Sequence, residues 1–259
     1  MELYNLKGKS AVVVGGAGGI GQAIAQGYAA AGARVLIASR REESLVRAQG
    51  EIQAAVGADV DYAVCDATDE GSVGQLVETA QAKYGTIDIL CCAQGVNKKF
   101  PTLEFPMEEL TNMLKVNVVS LMMCVKHFGA HMAKNDRGKI VIVSSVRGKI
   151  ASRNDGNIGY CISKGAVDML IRQAAADLGK YFVTVNGIGP TITETPMMTK
   201  IIEQRGGDAY RDQLASSLLI HRMATTDDCV GPALFLASPA SDFVTGEIIY
   251  PTGGLTCCG

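Results

Sequence analysis

A glycine-rich turn set between an apolar run and a helix-like stretch constrains this chain more than any other feature. Residues 10–14, Ser-Ala-Val-Val-Val, lead into Gly15-Gly16-Ala17-Gly18-Gly19-Ile20-Gly21, and helical spacing follows over 20–31. The anchor glycines are Gly15, Gly19 and Gly21. Glycine permits a tight turn and close backbone approach, and the free N–H groups at a helix start attract a pyrophosphate. Glycine-rich turns also arise for backbone reasons alone, so the order strand, turn, helix carries the inference to a dinucleotide site.

The rest of the chain repeats this alternation. Apolar runs predict strands at 34–38, 60–65, 87–92, 139–144, 183–188 and 247–251, besides 10–14. Helices are expected over 41–55, 69–84, 107–133, 159–180, about 196–220 and about 226–237. The strands are mostly continuous apolar runs, as strands covered on both faces are. The pattern predicts a single-domain α/β fold over 1–259. It is doubly wound and Rossmann-type, with a mostly parallel seven-stranded sheet and helices on both faces.

Composition excludes several classes. A net charge of −2 gives no electrostatic case for nucleic acid or an anionic membrane. No apolar run reaches the roughly 18 residues of a membrane helix. The opening MELYNLKGKS has no signal-peptide pattern. Eight cysteines include no C-x-x-C pair, which points to a reduced, cytoplasmic setting. The Cys257–Cys258 pair is left as a candidate redox feature.

The second strand ends at Ser39-Arg40-Arg41, where an acidic residue would hold the ribose 2′-hydroxyl of NAD. Guanidinium groups there grip a 2′-phosphate instead, which favours NADP(H) while leaving NAD(H) open. The same arginines also suit the start of a solvated helix. Asp66, after the third strand, is placed to accept from an adenine amino group or to cap the helix near residue 69.

Tyr160 and Lys164 lie four apart on a predicted helix and so share a face. An ammonium beside a phenol favours the phenolate, which suits proton transfer to or from a carbonyl oxygen. Upstream, Ser144 and Ser145 close the fifth strand, at the end of the sheet where ligands bind. Either hydroxyl could polarise a substrate oxygen. No histidine is placed to make either one a hydrolase nucleophile, and G-x-S-x-G is absent.

Taken in order, GGAGGIG, Asp66, CAQG, Asn117, SSVRG, YCISK and VNGIGPTITET resemble the short-chain dehydrogenase/reductase family over nearly the whole chain. The resemblance implies an NAD(P)(H)-dependent oxidoreductase interconverting an alcohol and a ketone. Its catalytic tetrad would be Asn117, Ser145, Tyr160 and Lys164. Tyr160 would be the general acid/base, Lys164 would tune it and bind the nicotinamide ribose, Ser145 would hold the substrate oxygen, and Asn117 would position a relay water. Cofactor contacts would come from Gly15, Gly18, Gly19, Ile20, Gly21, Ser39, Arg40, Asp66, Ala67, Cys92, Ala93 and Gly95. Tyr160, Lys164, Pro190, Thr193 and Thr195 would complete that set. The family also implies a homotetramer. This chain departs from its pattern at Val14, at Cys92-Ala93-Gln94-Gly95, at Thr191, and in the fourteen residues between Ser145 and Tyr160.

Several features bear on the substrate. Lys98, Lys99, Arg147, Lys149 and Arg153 fall in loops that would rim the mouth of the site, favouring an anionic ligand, or else are plain surface charge. Segment 196–220 has the character of a lid, with apolar residues such as Met197, Ile202 and Leu218. A hydroxysteroid, a polyol or sugar acid, and a 3-oxoacyl thioester all remain open. His127 and His131 share a helix face, for which a solvated or interface position is expected and no metal. The rival readings are a catalytically inactive dinucleotide-binding regulator and, lower, a sugar-nucleotide epimerase.

Overall fold

The computed structural model describes residues 2–152 and 156–257. Among these, seven strands form one sheet: β1 Ser10–Val14, β2 Arg34–Ser39, β3 Asp61–Val64, β4 Ile89–Cys92, β5 Gly138–Val143, β6 Val183–Ile188 and β7 Ile248–Ile249. Their order is β3-β2-β1-β4-β5-β6-β7, and every adjacent pair is parallel. The chain winds outward from β1 to β3, then returns to β4 on the other side of β1. The crevice opens where that order reverses, at the ends of β1 and β4, where Val14 pairs with Cys92.

Strand pleating divides the core in two. Val12, Val14, Leu36, Leu90, Ile140 and Ile142 face one layer of helices. It comprises α3 Glu70–Tyr84, α5 Ser120–Lys134 and α6 Ile158–Leu178. Ala11, Val13, Val35, Ile37, Ile89 and Val141 face the other layer, built from α1 Gly19–Ala30, α2 Glu42–Val56 and α9 Val230–Ala237. Burial on both faces explains why these strands read as unbroken apolar runs.

Tertiary structure revises several boundaries. The helix expected over 107–133 becomes α4 Met107–Leu114, a π-helical turn Lys115–Val119, and then α5. Segment 196–220 contains two short helices, α7 Pro196–Gln204 and α8 Asp208–Ser216. The last strand is two residues long, since Pro251 has no N–H to extend the ladder. Asp69, not Asp66, caps α3, accepting from Ser72 N–H at 2.6 Å.

The two histidines diverge. His127 Nε2 lies 3.0 Å from Glu70 Oε1 near the surface. His131 is buried rather than solvated, and its Nε2 accepts from the Ile87 N–H at 3.1 Å.

Candidate active site

The glycine turn brings two loops together. Gly15 has φ +82°, and its N–H donates to Ala38 O at 2.8 Å. A Cβ on Gly15 would lie 2.7 Å from Gln94 N, and one on Gly21 would collide with the Gly15 carbonyl oxygen. Only glycine lets the start of α1 and the chain after β4 approach this closely. No side chain caps α1, so its first-turn N–H groups face the crevice without a side-chain acceptor. Such a cradle fits a dinucleotide pyrophosphate.

The cradle's other walls come from separate parts of the chain. Ser39 ends β2, and Arg40 is exposed beside it. Asp66 accepts from the N–H and hydroxyl of Thr68, at 2.9 and 2.8 Å. Those bonds hold its carboxyl below the usual carboxylate range, with a smaller contribution from Arg40. Ala67 is buried next to it. Pro190 O accepts from Val146 N–H at 2.9 Å, tying the segment after β6 to the loop after β5. The Thr195 methyl comes within 3.5 Å of where a Cβ on Gly19 would sit, and the Thr195 hydroxyl caps α7. Thr193 is buried, its hydroxyl donating to Thr191 O at 3.0 Å.

Asn117, Ser145, Tyr160 and Lys164, expected from the sequence to form one set, meet at the same end of the sheet. Lys164, buried on α6, donates to Val143 O at 2.9 Å, and its ammonium lies 5.7 Å from the Tyr160 ring centroid. Asn117 sits in the π-helical turn, which presents it toward α6. Its Oδ1 accepts from Val96 N–H at 2.7 Å, and its Nδ2 donates to Val96 O at 2.8 Å and Ser163 Oγ at 3.0 Å. A Cβ on Gly95 would lie 3.4 Å from Asn117 Oδ1 and 3.8 Å from Lys164 Nζ. Gly95 therefore keeps the space beside the lysine clear.

The two serines part company. The Ser144 hydroxyl donates to Asp168 Oδ1 in the core. Ser145 Oγ instead accepts from Arg147 N–H at 3.2 Å and faces the Tyr160 hydroxyl. Of the two hydroxyls, that of Ser145 is the one beside Tyr160.

Charge behaviour differs from the sequence expectation. Burial pushes the Tyr160 phenol above its usual value, opposed by Ser145 and more weakly by Arg147. Burial brings Lys164 down to about 8, and the Asp168 carboxylate opposes the fall. A neutral, buried phenol beside an ammonium is poised to donate a proton to a carbonyl oxygen.

The protein matches known ones over its length. A family model described as enoyl-(acyl carrier protein) reductase matches residues 15–256. Gluconate 5-dehydrogenase of Gluconobacter oxydans (strain 621H) is 32% identical over 255 residues, covering 98% of this chain and 97% of that protein. The chain belongs to the short-chain dehydrogenase/reductase family. It is an NAD(P)(H)-dependent oxidoreductase interconverting an alcohol and a carbonyl. The 5-keto-D-gluconate 5-reductase of Escherichia coli (strain K12) is 30% identical, covering 98% of each chain. A crystal structure of gluconate 5-dehydrogenase from Burkholderia cenocepacia J2315, in complex with NADP and tartrate, aligns with TM-score 0.90 at 30% identity. That alignment covers 100% of this chain and 99% of that one.

Within this short-chain dehydrogenase/reductase, the CAQG departure has a structural counterpart. Gln94 Nε2 donates to Ser120 Oγ at 3.2 Å, linking the end of β4 to α5. The expected cationic rim is partly tied up. Lys98 pairs with Glu109 at 2.6 Å, Lys149 lies 4.9 Å from the Tyr250 ring centroid, and an Arg147 Nη1 donates to Ala151 O at 2.6 Å. Lys99 is exposed, and Arg153 lies outside the described residues. Cys257 is exposed and Cys258 lies outside the described residues. Among the described residues no cluster of His, Cys, Asp or Glu is arranged to hold a metal, and no helix is long and apolar enough to cross a membrane. Sequence reading overlooked Asp168, although a carboxylate on the apolar face of the Tyr160 helix was a visible signal.

Proposed function

We propose that this protein is an NADP(H)-preferring dehydrogenase that interconverts a hydroxyl and a keto group on a small polyol or sugar acid. The observation that carries the reading is the convergence of Ser145, Tyr160 and Lys164 at the end of β5, beside the glycine cradle. The relatives' names supply the substrate class, and the NADP-bound relative supports the cofactor. Arg40, exposed at the end of β2, is the group for a 2′-phosphate.

A bound nicotinamide supplies or accepts the hydride. Ser145 donates to the substrate oxygen and fixes it near Tyr160. Tyr160 passes its hydroxyl proton to that oxygen in reduction and recovers it in oxidation. The Lys164 ammonium stabilises the phenolate left behind and holds the nicotinamide ribose. Both amide hydrogens of Asn117 are engaged, so its part is to hold the Gly95–Val96 backbone beside Lys164, where a relay water would sit. Gly15, Gly18, Gly19, Ile20 and Gly21 hold the pyrophosphate. Ser39, Arg40, Asp66 and Ala67 hold the adenosine end. Cys92, Ala93, Gly95, Pro190, Thr193 and Thr195 line the path to the nicotinamide.

Helices α7 and α8 form the lid. Ile202 and Leu218 are buried, while Leu219 and Ile220 just beyond α8 are exposed. Exposed Val119, Met122, Ile162 and Met169 around α5 and α6 support a homotetramer. Seven free cysteines among the described residues suit a cytoplasmic setting.

The test is a titration with NADPH and NADH, followed by a screen of keto sugar acids, ketosteroids and 3-oxoacyl thioesters. Tight NADPH binding with fastest turnover of a keto sugar acid is expected. Fastest turnover of a steroid or thioester would overturn the substrate class, and binding of neither nucleotide would overturn the site.

A further inference from the structure

Asp168 lies one helical turn beyond Lys164 on the same buried face of α6. It is 3% exposed, and both carboxylate oxygens are engaged. Oδ1 accepts from the Ser144 hydroxyl, immediately before Ser145. Oδ2 accepts from the Tyr250 hydroxyl at 2.9 Å, from the segment after β7. The Tyr250 ring packs where a Cβ on Gly189 would sit, just before Pro190. Gly148, in the turn after Ser145, is equally confined, because a Cβ there would overlap the Asp168 carboxyl. One carboxylate thus braces the loop after β5, the helix of the Tyr–Lys pair, and the chain leading to Thr193 and Thr195.

A merely structural acceptor need not be charged. Taking a carboxylate into the core is costly unless a cation or several donors compensate it. The groups facing Asp168 are two hydroxyls, Ser144 and Tyr250, and the cations Lys164 and Arg172 on its own helix. Arg172 donates to the Asp168 backbone carbonyl at 3.3 Å rather than to its carboxylate. Lys149 reaches the group only through the Tyr250 ring. Lys164 is also buried, and its protein hydrogen bond goes to a neutral carbonyl, Val143 O. Asp168 and Lys164 are therefore the buried charges that offset one another.

We propose that Asp168 is a positioning residue for the proton-transfer site: it fixes the strand end that presents Ser145, anchors the Tyr250 segment, and supplies the negative charge that keeps Lys164 an ammonium. The proposal rests on the roles assigned above to Ser145, Tyr160 and Lys164. It goes beyond them by making the working charge state of Lys164 depend on a residue that touches neither substrate nor cofactor.

The test separates charge from shape. Asp168→Asn keeps a side chain of the same size that can bond both hydroxyls, but removes the charge. Tyr250→Phe removes one hydrogen bond and leaves the charge. In the full-length protein with isotope-labelled lysine, the Lys164 Nζ signal, assigned by its loss in Lys164→Arg, should titrate near pH 8. In Asp168→Asn the midpoint should fall by on the order of one pH unit, and in Tyr250→Phe it should stay. The alkaline limb of carbonyl reduction should move the same way. A Lys164 midpoint that is unmoved in Asp168→Asn overturns the proposal, even if both variants melt lower, since loss of packing alone would produce that. The Nζ titration does not depend on turnover, so an enzyme inactive toward every carbonyl tested would refute the assigned function while leaving this result to stand or fall separately.

Discussion

Replacing Tyr160 with phenylalanine removes one hydroxyl from a buried ring and nothing else. The packing lost is small, because the ring stays and the hydroxyl's neighbour, Ser145, keeps its bond from the Arg147 N–H. Folding stability should therefore change by about 1 kcal/mol, the net worth of an ordinary hydrogen bond. Activity should change far more. Lys164 donates to Val143 O and stands over the ring rather than replacing the hydroxyl, and Ser144 is committed to Asp168. Positioned acid/base catalysis contributes roughly 10²–10⁴-fold, or about 2.7–5.5 kcal/mol of barrier. Carbonyl reduction followed by loss of reduced-nicotinamide absorbance should fall by that factor, with cofactor Kd within about twofold of wild type. Activity in Tyr160→Phe above about a tenth of wild type, with Kd intact, would refute the assignment of the proton to this phenol.

Three further outcomes follow from the structure. Arg40→Asp places an anion where the 2′-phosphate would lie, so NADPH Kd should rise roughly tenfold to hundredfold with little change for NADH; equal losses for both would count against Arg40. Gly21→Ala drives a methyl group into the Gly15 carbonyl and to 3.0 Å from the Ala93 Cβ. It should cost about 1–3 kcal/mol in denaturant unfolding, and weaken cofactor binding at least about tenfold; a variant indistinguishable in both would show the turn to be slack. His131 is held below its usual value by burial, so the unfolded chain takes up the proton first as pH falls. Its stabilising contribution is complete above about pH 6.5 and is lost as pH drops from there toward the folded-state value. The fall in Tm between about pH 7 and pH 5 should accordingly be smaller in His131→Gln, and an identical pH dependence would refute the neutral, accepting role of Nε2.

Some of the site was legible because local chemistry and chain order carry it. The run from Val14 to Gly21 required a turn that only glycine fits, and Tyr160 and Lys164 fall on one helix face at any register. The π-helical turn at Asn117 was not legible, since the Asn117 partners lie outside its own helix. The Asn117 amide reaches across to Val96 and Ser163, and a sequence window sees neither. The same holds for His131, where helical spacing placed it beside His127 but could not show that the Ile87 N–H needs an acceptor.

Sequence alone determined the alternation of strand and helix, the glycine turn, and the shared helix face of Tyr160 and Lys164, because apolar periodicity, glycine geometry and i,i+4 spacing are local properties. Only tertiary structure decided which serine hydroxyl faces Tyr160 and which way burial moves each titrating group. Ser144 and Ser145 are chemically the same. A buried carboxylate from a helix two dozen residues later takes the first and leaves the second facing Tyr160. Burial likewise keeps the Tyr160 phenol neutral and works against the Lys164 ammonium, which Asp168 supports, and that burial exists only once both helical layers have closed on the sheet.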